Sequence, residues 1–198
     1  GPDPDMQLYG RGLRRRLPTM LAGDQARIRM VYSLAFSLPG TPVLFYGEEI
    51  GMGENLDIPG RLSVRSPMQW SAEPNGGFST AADPADLCRP LTDDEGFDPA
   101  AVNVASQRRD EGSLLNWFER LIRLRKECPE LGWGRFQRLA TAERAVFAHR
   151  SDWDDRAIVA VHNLSGDPVG TSFTLGDGER IEALRDLFRH EELRPSAD

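Results

Sequence analysis

Arg65 and the adjacent carboxylates Glu48 and Glu49 are the residues of this 198-residue chain best suited to chemistry. A guanidinium keeps its charge at physiological pH and offers a planar fork of donors, suited to ligand hydroxyls or to nearby carboxylates. Glu48 and Glu49 directly follow an apolar run. Carboxylates used as nucleophile and acid must face each other across about 5 Å, whereas successive side chains tend to point apart. Hydrogen bonds to loop backbone or to arginines are the competing reading for both. Trp70 and Phe78 offer flat apolar faces for stacking a ligand, against packing into a loop core. Tyr46, at the end of the apolar run, reads as core or as pocket lining. Arg14, Arg15 and Arg16 could grip an acidic ligand or lie on a solvated helix face. Asp57, Asp93 and Asp94 read as loop surface. Cys88, Cys128, His149, His162 and His190 have no metal-ligand spacing, so neither a metal nor a cofactor is expected.

These residues need elements to hold them. Leu13, Leu17, Met20 and Leu21 suggest a short helical face, compromised by Pro18. Asp24 is a good N-cap for a stronger helix whose stripe is Ile28, Val31, Leu34, Ala35 and Leu38, stopped by Pro39-Gly40. Thr41-Pro-Val-Leu-Phe-Tyr-Gly47 is nearly unbroken apolar sequence and predicts a strand buried on both faces, as in a parallel sheet covered by helices. From Gly47 to about Gly112 periodicity is weak, apart from a short helix near Val102 to Arg108. A loop this long is usually functional or disordered, and Trp70, Phe78 and Phe97 argue for order. It follows the end of a parallel strand, where barrel enzymes build their sites.

Ser113 caps a second helix with Leu114, Leu115, Phe118, Leu121, Ile122 and Arg125 on its inner face, ending before Pro129. Beyond Gly132-Trp133-Gly134, strand-like runs cover Phe136 to Leu139, Arg144 to Arg150, Ala157 to His162 and Thr171 to Leu175. Turn signals separate them at 152–155, 165–167 and 176–178. The expected fold class is therefore α/β followed by an antiparallel β module.

Composition narrows the partners. With 24 Lys+Arg against 31 Asp+Glu, the net charge of -7 argues against nucleic-acid binding. No run approaches the roughly 18 apolar residues of a membrane helix. Two distant cysteines make no disulfide framework, so a reducing, cytoplasmic setting is expected. One parallel strand with its helices cannot be a sheet, and a full barrel needs about 250 residues. The chain reads as the tail of a larger protein, with unpaired edges that invite homo-oligomers.

The stretch from Leu38 to Met52, Leu-Pro-Gly-Thr-Pro-Val-Leu-Phe-Tyr-Gly-Glu-Glu-Ile-Gly-Met, closely resembles the eighth barrel strand of the α-amylase glycoside hydrolase family. Val64-Arg-Ser-Pro-Met-Gln-Trp70 and Asn75-Gly-Gly-Phe-Ser79 are similar to that family's Arg-Thr-Pro-Met-Gln-Trp and Asn-Ala-Gly-Phe-Ser signatures. Gly12-Leu-Arg-Arg-Arg-Leu17 and Gly51-Met-Gly-Glu-Asn55 resemble the trehalose synthase branch more than oligo-1,6-glucosidases. Ala101-Val-Asn-Val104 with Gln107, Ser113-Leu-Leu-Asn-Trp117 and Leu121-Ile-Arg-Leu-Arg125 continue the likeness.

The resemblance implies a C-terminal fragment of a (β/α)8 TIM barrel over residues 1–130: helix 7, strand 8, a long loop and helix 8. From 131 to 198 it implies the first part of a C-terminal β-sandwich. It also implies retaining chemistry at α-glucosidic bonds, acting on maltose, trehalose or short α-glucosides. The family's three catalytic carboxylates would lie before Gly1, so no catalytic residue is expected here and the isolated chain should be inactive. Arg65 would reach the reducing-side sugar, with Tyr46, Glu48, Glu49, Trp70 and Phe78 as further substrate-binding candidates. The family's Gly-Asp-Arg-Asp lead-in reads Pro59-Gly-Arg-Leu62 here, without the acids. A maltose glucosyltransferase, an α-glucosidase and a non-catalytic carbohydrate-binding module all remain open, as does a purely structural domain.

Overall fold

The computed structural model describes residues 13–175 and 183–193. The opening loop expected over 1–12 and the turn at 176–178 lie outside the described residues. Chain contacts group 13–29 with 43–119 as a first unit, and 30–42 with 120–175 and 183–193 as a second.

In the first unit, α1 (Leu17–Met20) begins with Pro18 in its opening turn, where the missing N–H would have no partner anyway. The expected Leu13 to Leu21 face is thus shortened: Pro18 starts the helix instead of interrupting it. Helix α2 (Gln25–Ser37), with 25–29 in the first unit and 30–37 in the second, begins where Asp24 accepts hydrogen bonds from the Ala26 and Arg27 amides at 3.0 and 3.1 Å. Irregular chain then carries single 3₁₀ turns at Glu48–Ile50, Gly60–Val64, Pro74–Gly77 and Pro84–Asp86. Helix α3 (Val104–Arg109) is capped by the Asn103 side chain, which accepts from the Ser106 amide at 2.8 Å. Helix α4 (Leu114–Glu127), with 114–119 in the first unit and 120–127 in the second, starts at Ser113, whose hydroxyl accepts from the Asn116 amide at 3.2 Å. Ile50, Met52, Met68 and Val104 form the core of this unit, with Val102 and Leu115 packed on them.

The run Thr41 to Gly47 does not form the expected strand. Among the described residues no strand lies alongside it, so its backbone has no ladder. Val43 is 87% exposed, and Phe45 and Tyr46 are each 39% exposed. A parallel strand is stable only between neighbours that share its hydrogen bonds and cover its faces.

In the second unit, α5 (Glu130–Trp133) leads into an antiparallel sheet of β1 (Arg135–Leu139), β2 (Val146–Trp153) and β3 (Arg156–Asn163), in that order. Two-residue strands β4 (Leu184–Arg185) and β5 (Glu192–Leu193) pair separately. Three of the four expected strands form. The fourth, Thr171 to Leu175, is tied down without a ladder, through Ala142 N to Ser172 O and Arg150 Nη1 to Leu175 O.

The α2 stripe also differs from expectation. Tyr32, Phe36 and Ser37 are buried, whereas Val31, Leu34 and Leu38 are half-buried and Ala35 is exposed. Ser33 and Ser37 meet the strand histidines, at 3.2 Å to His162 Nε2 and 3.0 Å to His149 Nε2. The buried face of α2 in this unit thus carries Tyr32, Phe36 and Ser37, with Ser33 at its side. Arg125 of α4 donates to the Phe36 and Gly40 carbonyls at 2.5 and 2.6 Å, closing the end of α2.

Candidate functional site around Arg65

Three of the six sequence candidates, Tyr46, Arg65 and Trp70, are held by one buried scaffold. Arg16, only 3% exposed, is its centre. Its guanidinium donates to Tyr46 O at 2.8 Å and Val64 O at 2.7 Å, and lies 5.1 and 5.3 Å from the Phe45 and Tyr46 ring centroids. Ser63, fully buried, donates to Arg14 O at 2.6 Å and accepts, through its carbonyl, from the Asn55 amide. These bonds clamp the Gly60–Val64 turn and leave Arg65 exposed at its end.

Glu54 is 4% exposed and is the scaffold's anion. It accepts from Arg15 Nε at 2.9 Å, from the Arg16 amide at 3.0 Å and from Thr19 Oγ1 at 2.5 Å. The arginine run is therefore split: Arg14 and Arg15 stay exposed, whereas Arg16 is buried. Each member has an internal job, with Arg14 donating to Leu56 O. Glu54 escaped selection in the sequence because its partners lie about forty positions away; the only available signal was three arginines with no acid of their own nearby.

The signature after Arg65 turns inward. Ser66, Pro67, Met68 and Gln69 are all buried, and Trp70 emerges again, 49% exposed. The Gln69 side-chain amide donates to Val102 O at 2.5 Å and Phe97 O at 3.1 Å, while the Gln69 main-chain carbonyl accepts from the Val104 amide. Gln107 extends the brace, donating to Ile50 O at 2.7 Å and accepting from the Leu115 amide at 3.0 Å. Backbone bonds from Trp70 N to Gly76 O and from Ala105 N to Trp70 O fix the Trp70 main chain.

Tyr46 Oη donates to Ser66 O at 2.8 Å. Burial pushes its phenol pKa up, opposed by the positive charges of Arg16, Arg65 and Arg89. Arg65 is thus within electrostatic reach of Tyr46. Tyr46 is part-exposed, so it belongs to the rim and not to the core. Glu48 accepts from the Phe45 amide at 3.3 Å, the backbone role weighed for it. Glu49 is half-buried and makes no side-chain hydrogen bond to the described residues.

Phe78 is 47% exposed and borders a cleft of about 630 Å³ with Glu73, Pro74, Ser79 and Thr80. The preceding turn has left-handed backbone at Asn75, Gly76 and Gly77, which asparagine and glycine tolerate best. Asn75 donates to Ser79 O and Ala81 O at 3.2 and 2.8 Å, so the turn presents Phe78 from a fixed base. Trp70 and Phe78 are each about half exposed, so neither is fully enclosed in a loop core. Among the described residues, no group of three or more histidines, cysteines or acids could hold a metal ion, and no helix is long and apolar enough to cross a membrane.

A solvent-facing cation beside a phenol, with a half-exposed indole on the same braced segment, can bind hydroxyl-rich, partly apolar ligands. Residues 14–134 match the family described as alpha amylase, catalytic domain. A trehalose synthase of Pimelobacter sp. is 40% identical over 161 residues, covering 79% of this chain and 28% of that protein. Trehalose synthase/amylase TreS of Mycobacterium tuberculosis is 40% identical over 160 residues, covering 79% of this chain and 26% of its own length. The chain thus spans little more than a quarter of the curated relatives it matches. Among solved structures, a trehalulose synthase in complex with Tris superposes with a TM-score of 0.66 at 22% identity, covering 86% of this chain and 36% of that one. The α-amylase of H. orenii gives 0.61 at 29% identity, covering 78% and 29%. Matched over more than half its length, the chain belongs to the α-amylase family and has the fold of part of that family's barrel enzymes.

Proposed function

We propose that this chain is the C-terminal part of a retaining glucosyl-transferring enzyme of the trehalose synthase type, interconverting maltose and trehalose. Residues 1–130 complete the barrel and 131–198 begin a β-sandwich. The observation that carries the reading is the 40% identity to trehalose synthases, which spans the braced loop presenting Arg65 and Trp70.

In such a reaction a carboxylate displaces glucose from maltose, forming a glucosyl ester while an acid protonates the leaving oxygen. The released glucose then attacks through its anomeric hydroxyl, and its proton passes to the same acid-base group. We place both carboxylates outside this chain. Its own part is to hold the departing glucose: Arg65 donates to its hydroxyls, and Tyr46 and Trp70 flank it. Keeping that glucose in place favours trehalose, whereas entry of water gives hydrolysis. No cofactor enters, and two free cysteines, Cys88 and Cys128, accord with a reducing cytoplasmic setting.

Full-length protein incubated with maltose is expected to form trehalose. Glucose as the sole product would replace the reading with an α-glucosidase. The isolated chain is expected to be inactive on either sugar. A non-catalytic sugar-binding role draws on the half-exposed Trp70 and Phe78; maltose binding by the isolated chain, lost in Trp70→Ala, would favour it.

A further inference from the structure

Arg65 takes φ -110° and ψ 39°, outside both the helical and the strand region, so no regular element sets its direction. Its neighbours do. The Arg65 amide donates to Leu62 O at 3.0 Å, which closes the preceding turn. Val64 O, just before it, accepts from Arg16 Nη2 at 2.7 Å. Ser66 O, just after it, accepts from Tyr46 Oη at 2.8 Å. The two donors are themselves joined. Arg16 Nη1 holds Tyr46 O at 2.8 Å, and the guanidinium lies 5.3 Å from the Tyr46 ring centroid. Arg16, Val64, Ser66 and Tyr46 thus close a circuit of bonds around the Arg65 main chain, while the Arg65 side chain stays exposed.

This circuit is better suited to aiming a side chain than to holding the fold together. Desolvation offsets much of the attraction gained by burying a charge, so a buried guanidinium is a poor source of stability. What it supplies is direction: a planar fork fixes two acceptors relative to each other, as a single-point ammonium does not. Glu54 holds the fork from behind, accepting from the Arg16 amide at 3.0 Å and from Thr19 Oγ1 at 2.5 Å. Glu54 and Arg16 are both buried, so each acts through the residues it holds and not on a ligand. The Tyr46 hydroxyl is committed in the same way, its proton going to Ser66 O. Direction matters in the reaction proposed above, on which this inference rests. Once the glucosyl ester has formed, the retained glucose must bring its anomeric hydroxyl to the anomeric carbon of the ester. A glucose that drifts is replaced by water, and the ester is hydrolysed. Misplacing a reactant by about 1 Å can cost roughly a hundredfold in rate.

We propose that Arg16 and the Tyr46 hydroxyl are positioning groups that aim Arg65 at the departing glucose and thereby set the ratio of transfer to hydrolysis. Full-length protein acting on maltose tests it, with trehalose, glucose, kcat/KM and Tm measured for each variant. Tyr46→Phe keeps the aromatic ring and removes the hydroxyl that holds Ser66 O; Arg16→Lys keeps the charge and breaks the fork. Each is expected to raise the glucose-to-trehalose ratio at least about threefold and to lower kcat/KM about fivefold. Combined with Arg65→Ala, either substitution should add less than about twofold, because its effect passes through Arg65. A merely structural loss would instead multiply the Arg65→Ala effect in full. Full multiplication, a wild-type-like Arg65→Ala, or, where the wild type forms trehalose, an unchanged product ratio in Tyr46→Phe would each overturn it. Wild type releasing glucose alone overturns the function above, and the same cycle in kcat/KM for maltose hydrolysis still decides the positioning role.

Discussion

The Arg16 guanidinium donates to the carbonyl oxygen of Tyr46 at 2.8 Å while its other terminal nitrogen holds Val64 O at 2.7 Å. One buried fork thereby ties the end of the 41–47 run to the turn that presents Arg65. A lysine has the charge but not the fork. Arg16→Lys is expected to cost about 2 kcal/mol, the size of one charge-assisted hydrogen bond. Urea unfolding checks this, and a midpoint equal to the parent chain's would remove Arg16 from its central place.

Asn75 combines positive φ with two side-chain bonds, to Ser79 O and Ala81 O. Asn75→Ala loses both bonds and strains the backbone, for an expected loss of about 2 kcal/mol. Asn75→Gly keeps the backbone and should lose roughly half as much. Equal losses in the two variants would show that backbone conformation contributes nothing there.

Acid should loosen the second unit. Burial, with His162 adding a smaller effect, lowers the His149 pKa from 6.5 to about 4, and burial also lowers that of His162 against the opposing Ser33 hydrogen bond. Both folded-state values are depressed, so stability is complete above pH 6.5. As pH falls below that, the unfolded chain takes up protons that the folded one refuses, until His149 itself titrates near 4. The His149 contribution is about 3 kcal/mol over that interval. Denaturation of wild type and His149→Gln at pH 7.5, 5.5 and 4.5 should show a shallower loss in the variant; parallel curves would count against the assignment.

Arg65 is exposed and unpaired among the described residues, so it can be changed without disturbing the fold. In the full-length protein, Arg65→Lys is expected to lower kcat/KM for maltose about tenfold, near 1.4 kcal/mol, with no change in Tm. An unaltered kcat/KM would mean that the fork does not touch the sugar.

Local signals were sufficient for the positions of α2, α3 and α4 and for β1 to β3, but not for α5, β4 or β5. Asp24 and Ser113 mark the starts of α2 and α4, and β1 to β3 follow the runs between turn signals. Where partners are distant, the residues alone say little. Thr41 to Gly47 has the composition of a buried strand, yet composition cannot supply the neighbours a ladder requires. The Glu54 cluster joins residues about forty apart, and Ser33 and Ser37 of α2 meet histidines more than a hundred positions later. The motif singled out Arg65, and the structure shows it exposed, whereas the contact between the Trp133 and Trp153 rings depends on a close approach at Gly134 that no local pattern announces.

Between Arg65 and Trp70 the four intervening side chains are all sequestered, and only the two ends meet solvent. Anchorage and exposure thus fall to different positions. Under the proposed function, replacements at 65 or 70 are expected to alter sugar preference while leaving the interior intact, whereas replacements at 66 to 69 are expected to cost stability first.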